Sequence, residues 1–291
     1  MIGANSKHGM ASGALPQRAD WTIDQGWDNY TAEEHAVWKT LFERQTQLLP
    51  GRACDAFVQG MQQLPIDARK IPDFRQLSEV LMRHTGWQIV AVPGLVPDEV
   101  FFEHLAHRRF PAGHFIRKPH ELDYLEEPDV FHDVFGHVPM LVNPVIADFV
   151  QAYGLGGLRA KQLGVLPNLA RVYWYTVEFG LVQQTDGLRI YGSGIASSFT
   201  ESVFALEDPS PNHIGFDLER VMRTQYRIDD FQESYFVLNS LDDLLQLAQI
   251  DFAPLYSQVA GQPDLQPGDV SPSDRVWQRG TGSHHSRRLA Q

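Results

Sequence analysis

Apolar residues recur at helical spacing through much of the chain. Thr31-Ala32-Glu33-Glu34 is a capping box, with Thr31 as N-cap and Glu34 three residues on. Beyond it Val37, Trp38, Leu41 and Phe42 share one face, which predicts a helix to about Leu49, before Pro50-Gly51. Similar spacing predicts helices over 53–64 and from an Asp73 cap to Gly86, the latter turning Phe74, Leu77, Val80 and Leu81 inward. Pro97-Asp98-Glu99 opens another through Phe101, Phe102 and Leu105. Two long helices are expected over 143–163 and 168–184, broken at Gly164 and Pro167, and a last one starts at Ser240-Leu241-Asp242-Asp243. Strand signals are few: 88–92 reads as a short strand closed by Pro93-Gly94, and 114–117 as extended. This pattern predicts a mainly α fold with a few short β-strands, in one domain over residues 21–260. Residues 1–20 are small and polar and read as a flexible arm. From Gly261 the composition turns to Gly, Pro, Ser, Asp and Arg, so 261–291 is expected to be a disordered tail.

Composition narrows the partners. At 43% hydrophobic and 11% aromatic, 291 residues can bury a large core. The formal net charge is −12 and no Lys/Arg run interrupts the body, which argues against nucleic acid or an anionic membrane as partner. The single cysteine, Cys54, cannot make an internal disulfide or a thiolate metal cluster, and it reads as inert core. With no basic-then-apolar leader and no membrane-length apolar run, a cytoplasmic location is expected.

The densest chemistry lies in Glu127-Pro128-Asp129-Val130-Phe131-His132-Asp133-Val134-Phe135-Gly136-His137-Val138-Pro139. Pro128 and Asp129 suit a first helical turn. Pro139 disfavours α geometry at Val138, so the helix is expected to stop near Gly136-His137. Two histidines five apart diverge by about 140° on an unbroken α-helix; ending it at Gly136 lets His137 swing round. A histidine pair alone is more often packing than ligation. Glu178 changes that balance. Its helical neighbours Trp174, Tyr175, Leu181 and Val182 are apolar or aromatic, so its carboxylate needs a positive partner, either an arginine or a shared metal. Two imidazoles and one carboxylate make the facial triad of non-haem Fe(II) oxygenases, with positions left for O2 and water. The His-Glu-x-x-His pattern of zinc hydrolases is absent.

Three motifs together resemble the pterin-dependent aromatic amino acid hydroxylases. They are 127–139, then Tyr173-Trp174-Tyr175-Thr176-Val177-Glu178-Phe179-Gly180, then Tyr191-Gly192-Ser193-Gly194-Ile195-Ala196-Ser197-Ser198-Phe199. The likeness covers about residues 85–260 and is nearest to the short bacterial members acting on phenylalanine. It implies a single catalytic domain that uses Fe(2+), tetrahydropterin and O2 to convert L-phenylalanine to L-tyrosine. It implies iron ligation by His132, His137 and Glu178. For the amino acid it implies Arg117 on the carboxylate, with Tyr124, Pro128, Trp174, Phe179, Gly194 and Ser197 around the substrate. For the pterin it implies stacking on Phe101, with Gly94, Leu95, Val96, Asp133, Ala170 and Tyr173 nearby. Asp129 and Ser197 would orient His132. Asp133 stands where the family often has Glu, and Leu125 where animal members carry a hydroxyl residue. Val237 resembles the phenylalanine type, where tyrosine enzymes carry Asp. Animal members add a regulatory domain and a tetramerisation helix, for which this chain has no room, so a monomer is expected. The alternatives are a tryptophan or tyrosine hydroxylase of the family, or a non-catalytic aromatic amino acid or metal-binding protein.

Overall fold

The computed structural model describes residues 18–123 and 127–289. Of the arm expected at 1–20, residues 1–17 lie outside them, as do Tyr124 and Leu125. Helices α1 (Ala32–Leu48), α2 (Asp55–Gln63) and α3 (Phe74–His84) come first. Thr31 and Glu34 close the capping box on α1, and Asp73 caps α3 by accepting from the Arg75 N–H. Strand β1 (Gln88–Val92), helix α4 (Asp98–Ala106) and strand β2 (Arg109–Gly113) follow, with β1 and β2 paired in parallel. The extended stretch expected at 114–117 is preceded by β2, which the periodicity missed. Arg109-Phe110-Pro111 does not alternate, and all of Phe110, Pro111, Ala112 and Gly113 are buried.

The next elements are α5 (Pro144–Gln162), α6 (Leu166–Tyr173), β3 (Leu181–Gln184), β4 (Gly187–Ile190), α7 (Ser193–Ala196) and α8 (Phe199–Glu207). Then come β5 (Asn212–Gly215), α9 (Leu218–Arg223), β6 (Ser234–Leu238), α10 (Asp243–Ala248), α11 (Phe252–Val259), β7 (Val276–Gln278) and α12 (Ser283–Leu289). A five-stranded mixed sheet runs β4-β3-β6-β5-β7. Among the described residues, strands are few and short and helices dominate, the mainly α class expected. No single described helix is long and apolar enough to cross a membrane.

The helix expected over 168–184 ends at Glu178, and 181–184 form β3 instead. The cause is Gly180: a Cβ there would sit 2.2 Å from the Tyr191 ring and 2.4 Å from the Thr176 carbonyl. Only a glycine lets the backbone pass that close.

The segment 261–291 is not a disordered tail over its described part. β7 adds to β5, and Gly215 N–H donates to the Arg275 carbonyl at 2.7 Å. Polar pairs help to fasten the tail. Arg171 of α6 forks onto Asp264 (2.7 and 2.6 Å), and Arg220 of α9 meets Asp274 at 3.0 Å with both side chains buried. A composition argument counts apolar surface and cannot see such pairs.

Candidate active site

The two ligand-type histidines sit on a π-helical turn, Phe131–His137, followed by a 3-10 turn, Val138–Val142. The π-helical turn ends at His137, where the helix is expected to stop, but the chain continues without a break into the 3-10 turn, and Val138 stays helical (φ −63°, ψ −36°) despite Pro139. Nor do Pro128 and Asp129 lie inside its first turn. They precede it, and Asp129 acts as a cap, its Oδ1 accepting from the His132 N–H at 3.0 Å. A π-helix bonds residue i to residue i+5, so residues five apart come round to one side. That geometry aligns His132 with His137. Phe131 and Phe135, stacked at 4.8 Å, point the other way and pack on Trp38 and Phe42 of α1. Glu178 closes a second π-helical turn, Trp174–Glu178, whose wide bond runs from Phe179 N–H to the Trp174 carbonyl at 2.8 Å.

The three side chains converge. His132 Nε2 and His137 Nε2 are 3.3 Å apart. Glu178 Oε1 lies 3.4 Å from His137 Nε2, and Oε2 lies 3.6 Å from His132 Nε2. Ligand atoms about 2.1 Å from one ion lie about 3.0 Å apart at right angles and about 3.4 Å apart at tetrahedral angles. The spacing therefore fits a common divalent ion. Burial lowers the His132 pKa to about 4, leaving its imidazole neutral. Burial pushes Glu178 upward, but His137, His132 and a bond from Ser193 outweigh it and hold the carboxyl at about 2. A neutral imidazole and an ionised carboxylate are the states a metal requires.

Supporting bonds fix this geometry. His132 Nδ1 meets Ser197 Oγ at 2.9 Å, and Ser197 donates to the Ser193 carbonyl. The Ser193 hydroxyl lies 3.0 Å from His137 Nε2 and 2.9 Å from Glu178 Oε2. Sequence reasoning passed over Ser193, because its role appears only when α7 packs against both π turns. Gly194 beside it lets Phe179 approach: a Cβ there would lie 2.9 Å from the ring.

Arg117 is buried and already paired. Its Nε and Nη2 bind Asp129 Oδ2 and Oδ1 at 2.8 and 2.9 Å, and its own N–H donates to Oδ2. Asp129 is fully buried, which favours the neutral acid, yet Arg117 holds its pKa below the usual carboxylate range. The forked edge expected to grip a substrate is thus spent on Asp129. Nη1, 3.3 Å from the Leu122 carbonyl, and the outer N–H of Nη2 are what Arg117 has left to offer.

A cleft opens beside the triad. Gly94, Leu95, Val96, Asp98, Phe101, Phe110, Gly113, Pro128, Asp133 and Tyr173 line it together with His132, His137 and Glu178. Six of the seven residues expected at the pterin fall on this lining. Ala170 is buried on α6 without lining it. Glu127 Oε1 accepts from the Leu95 N–H at 3.2 Å and so ties the loop after β1 to the triad's own segment. Asp133 gives one oxygen to the Gly113 N–H at 2.7 Å, and burial raises its pKa to about 7. Trp174 packs between Phe179 (4.7 Å) and Tyr226 (4.2 Å), its indole N–H on Gln232. Val237 is wholly buried in β6 and does not line the cleft.

Comparisons with known proteins define the family and the fold. The biopterin-dependent aromatic amino acid hydroxylase family model matches residues 22–254. The chain is 62% identical over 280 residues to a phenylalanine-4-hydroxylase of Caulobacter vibrioides, covering 96% of this chain and 95% of that one. It is 58% identical to that of Chromobacterium violaceum, over 90% of this chain and 88% of the other. The fold matches crystal structures of the Chromobacterium violaceum phenylalanine hydroxylase. One, bound to cobalt, gives a TM-score of 0.88 at 58% identity, covering 90% of this chain and 95% of that one. Another, with iron and phenylalanine bound, gives 0.87 at 56% identity, covering 91% and 96%. The chain belongs to the biopterin-dependent aromatic amino acid hydroxylase family.

Proposed function

We propose that the protein is a phenylalanine 4-hydroxylase, a non-haem Fe(2+) monooxygenase that converts L-phenylalanine to L-tyrosine with O2 and tetrahydropterin. The observation that carries this reading is the convergence of His132, His137 and Glu178 on one wall of a cleft whose other wall is the loop and helix 94–101. In this reading the three side chains hold the iron. Iron and tetrahydropterin, when bound, supply the oxygen activation that side chains lack.

The protein's part is placement. Phe101 and Tyr173, at 88° to one another, offer an aromatic corner for a planar pterin, and the backbone of Gly94, Leu95 and Val96 borders it. Asp133 faces the same space with its remaining oxygen; a bridging water would extend its short side chain to the pterin. Arg117, held rigid by Asp129, meets the amino acid carboxylate with its free N–H groups, so that the ring is presented to the triad. Pro128, Trp174, Phe179, Gly194 and Ser197 shape the ring's pocket, and Tyr124 is counted with them in this reading. In this reading the protein works as a monomer.

The test is product analysis with iron and a tetrahydropterin, offering phenylalanine, tyrosine and tryptophan separately. Tyrosine formed from phenylalanine in near one-to-one ratio with pterin consumed supports the reading. Hydroxylation of tryptophan or tyrosine in preference, or phenylalanine binding without turnover, sinks it.

A further inference from the structure

The end of the chain gathers a second set of metal-type donors that the hydroxylation chemistry does not use. α12 opens with Ser283-His284-His285, and both imidazoles reach Asp230, in the loop before β6. His284 Nε2 lies 3.0 Å from Asp230 Oδ1, and His285 Nδ1 lies 3.4 Å from Oδ2. The three donor atoms fall within 4.8 Å of one another, as do those of His132, His137 and Glu178.

His285 is the informative residue. It is 7% exposed, yet neither ring nitrogen hydrogen-bonds to a described residue. A buried imidazole with both nitrogens unmatched carries their desolvation cost without return. Its Nδ1 stands beside the Asp230 carboxylate but out of line for a hydrogen bond. An ion seated between them meets both. His284 packs on Phe204 and Phe231 at 5.2 Å, which holds its ring in place.

We propose that Asp230, His284 and His285 form a second metal site, for a borderline divalent ion of the Zn2+ type. Two imidazoles and one carboxylate suit such an ion, whereas Mg2+ and Ca2+ prefer all-oxygen shells. His284 is 30% exposed along its side chain, which leaves an entry path and room for a water as fourth ligand. The ion pins α12 to the loop 227–232. Gln232 of that loop accepts the Trp174 indole N–H at 2.9 Å and donates to the Arg227 carbonyl at 2.9 Å. Occupancy therefore stiffens the support of Trp174.

Iron-loaded enzyme is equilibrated with Zn2+, desalted, and its metals counted by mass spectrometry. Wild type is expected to keep one zinc beside one iron. His285→Ala, His284→Gln and Asp230→Asn each keep the iron and lose the zinc, with an unchanged near-ultraviolet circular dichroism spectrum. Zn2+ should also raise the Tm of the iron-loaded wild type and not that of the variants. The site does not exist if wild type holds no more than one metal in total. It is equally ruled out if a variant with native dichroism keeps the second zinc.

Discussion

Two clusters of two histidines and one carboxylate occur among the described residues, and they are built differently. At the cleft, His132 and His137 share one π turn and Glu178 ends another, so all three ride on core elements. Ser197, Ser193 and Asp129 hold the ligand side chains or their backbone from behind. At the chain's end, His284 and His285 are neighbours on a seven-residue helix, and His285 has no hydrogen bond among the described residues. The difference separates a preorganised site from one that its ion must complete. Preorganisation costs strain and buried polar groups, and the core meets that cost with a network in which each group has a partner. Among the described residues the terminal cluster lacks such a network: His285 has the Asp230 carboxylate 3.4 Å away but no hydrogen bond, and the proposed ion would supply the missing partner.

The largest effect should come from breaking the cleft cluster. Glu178→Ala removes the negative ligand and leaves two neutral imidazoles. Iron binding and tyrosine formation are expected to vanish, while far-ultraviolet dichroism stays native. Full iron content by metal analysis would remove Glu178 from the ligand set.

Next in size is the tail that carries the second cluster. Asp274→Ala strands the buried Arg220 guanidinium, and breaking one partner of a buried pair costs about 3–5 kcal/mol. Urea unfolding should show a loss of that order, and truncation from residue 265 should cost more. A stability change under about 1 kcal/mol would mean that the tail is dispensable, as its composition alone suggests.

What could be read in advance follows from what makes each feature. Local signals were legible: the Thr31–Glu34 box, the Asp73 cap, and the Pro93-Gly94 stop after β1. The three converging side chains were legible as residue types, because a carboxylate among aromatic neighbours and a histidine pair pose a problem that one ion solves. The way they converge was not. A π turn has no propensity signature; packing of Phe131 and Phe135 on α1, with the histidines on the other side, goes with it. Strand β3 hid inside a helical period until Tyr191 and Gly192 bonded back to Gly180. The tail was missed because its anchors are aspartates, whose partners Arg171 and Arg220 lie 93 and 54 residues away.

A smaller effect is expected at Arg117. Arg117→Lys keeps the charge but loses both the fork onto Asp129 and the N–H groups facing substrate. Phenylalanine affinity should fall by about 1.5–3 kcal/mol, the range for a hydrogen bond to a charged group. More pterin should be oxidised per tyrosine formed. Because Asp129 also caps the His132 turn, iron affinity should weaken as well. An unchanged tyrosine-to-pterin ratio with unchanged phenylalanine affinity would place the substrate carboxylate elsewhere.

The smallest expected effect tests what support is worth at the cleft. Ser197 Oγ sits 2.9 Å from His132 Nδ1 and itself donates to the Ser193 carbonyl. With its own proton committed there, the hydroxyl oxygen accepts from Nδ1–H, which leaves the Nε2 lone pair for the metal. Ser197→Ala removes the bond that selects this tautomer but no ligand. Loss of such a partner typically weakens metal affinity 10–100-fold. Competition with a chelator, following iron retained against chelator concentration, measures it directly. Ser197→Thr restores the oxygen and should recover most of the affinity if its methyl group fits beside α7. An alanine variant as tight as wild type would show that Asp129 and the π turn alone hold His132, and that the hydroxyl only fills space.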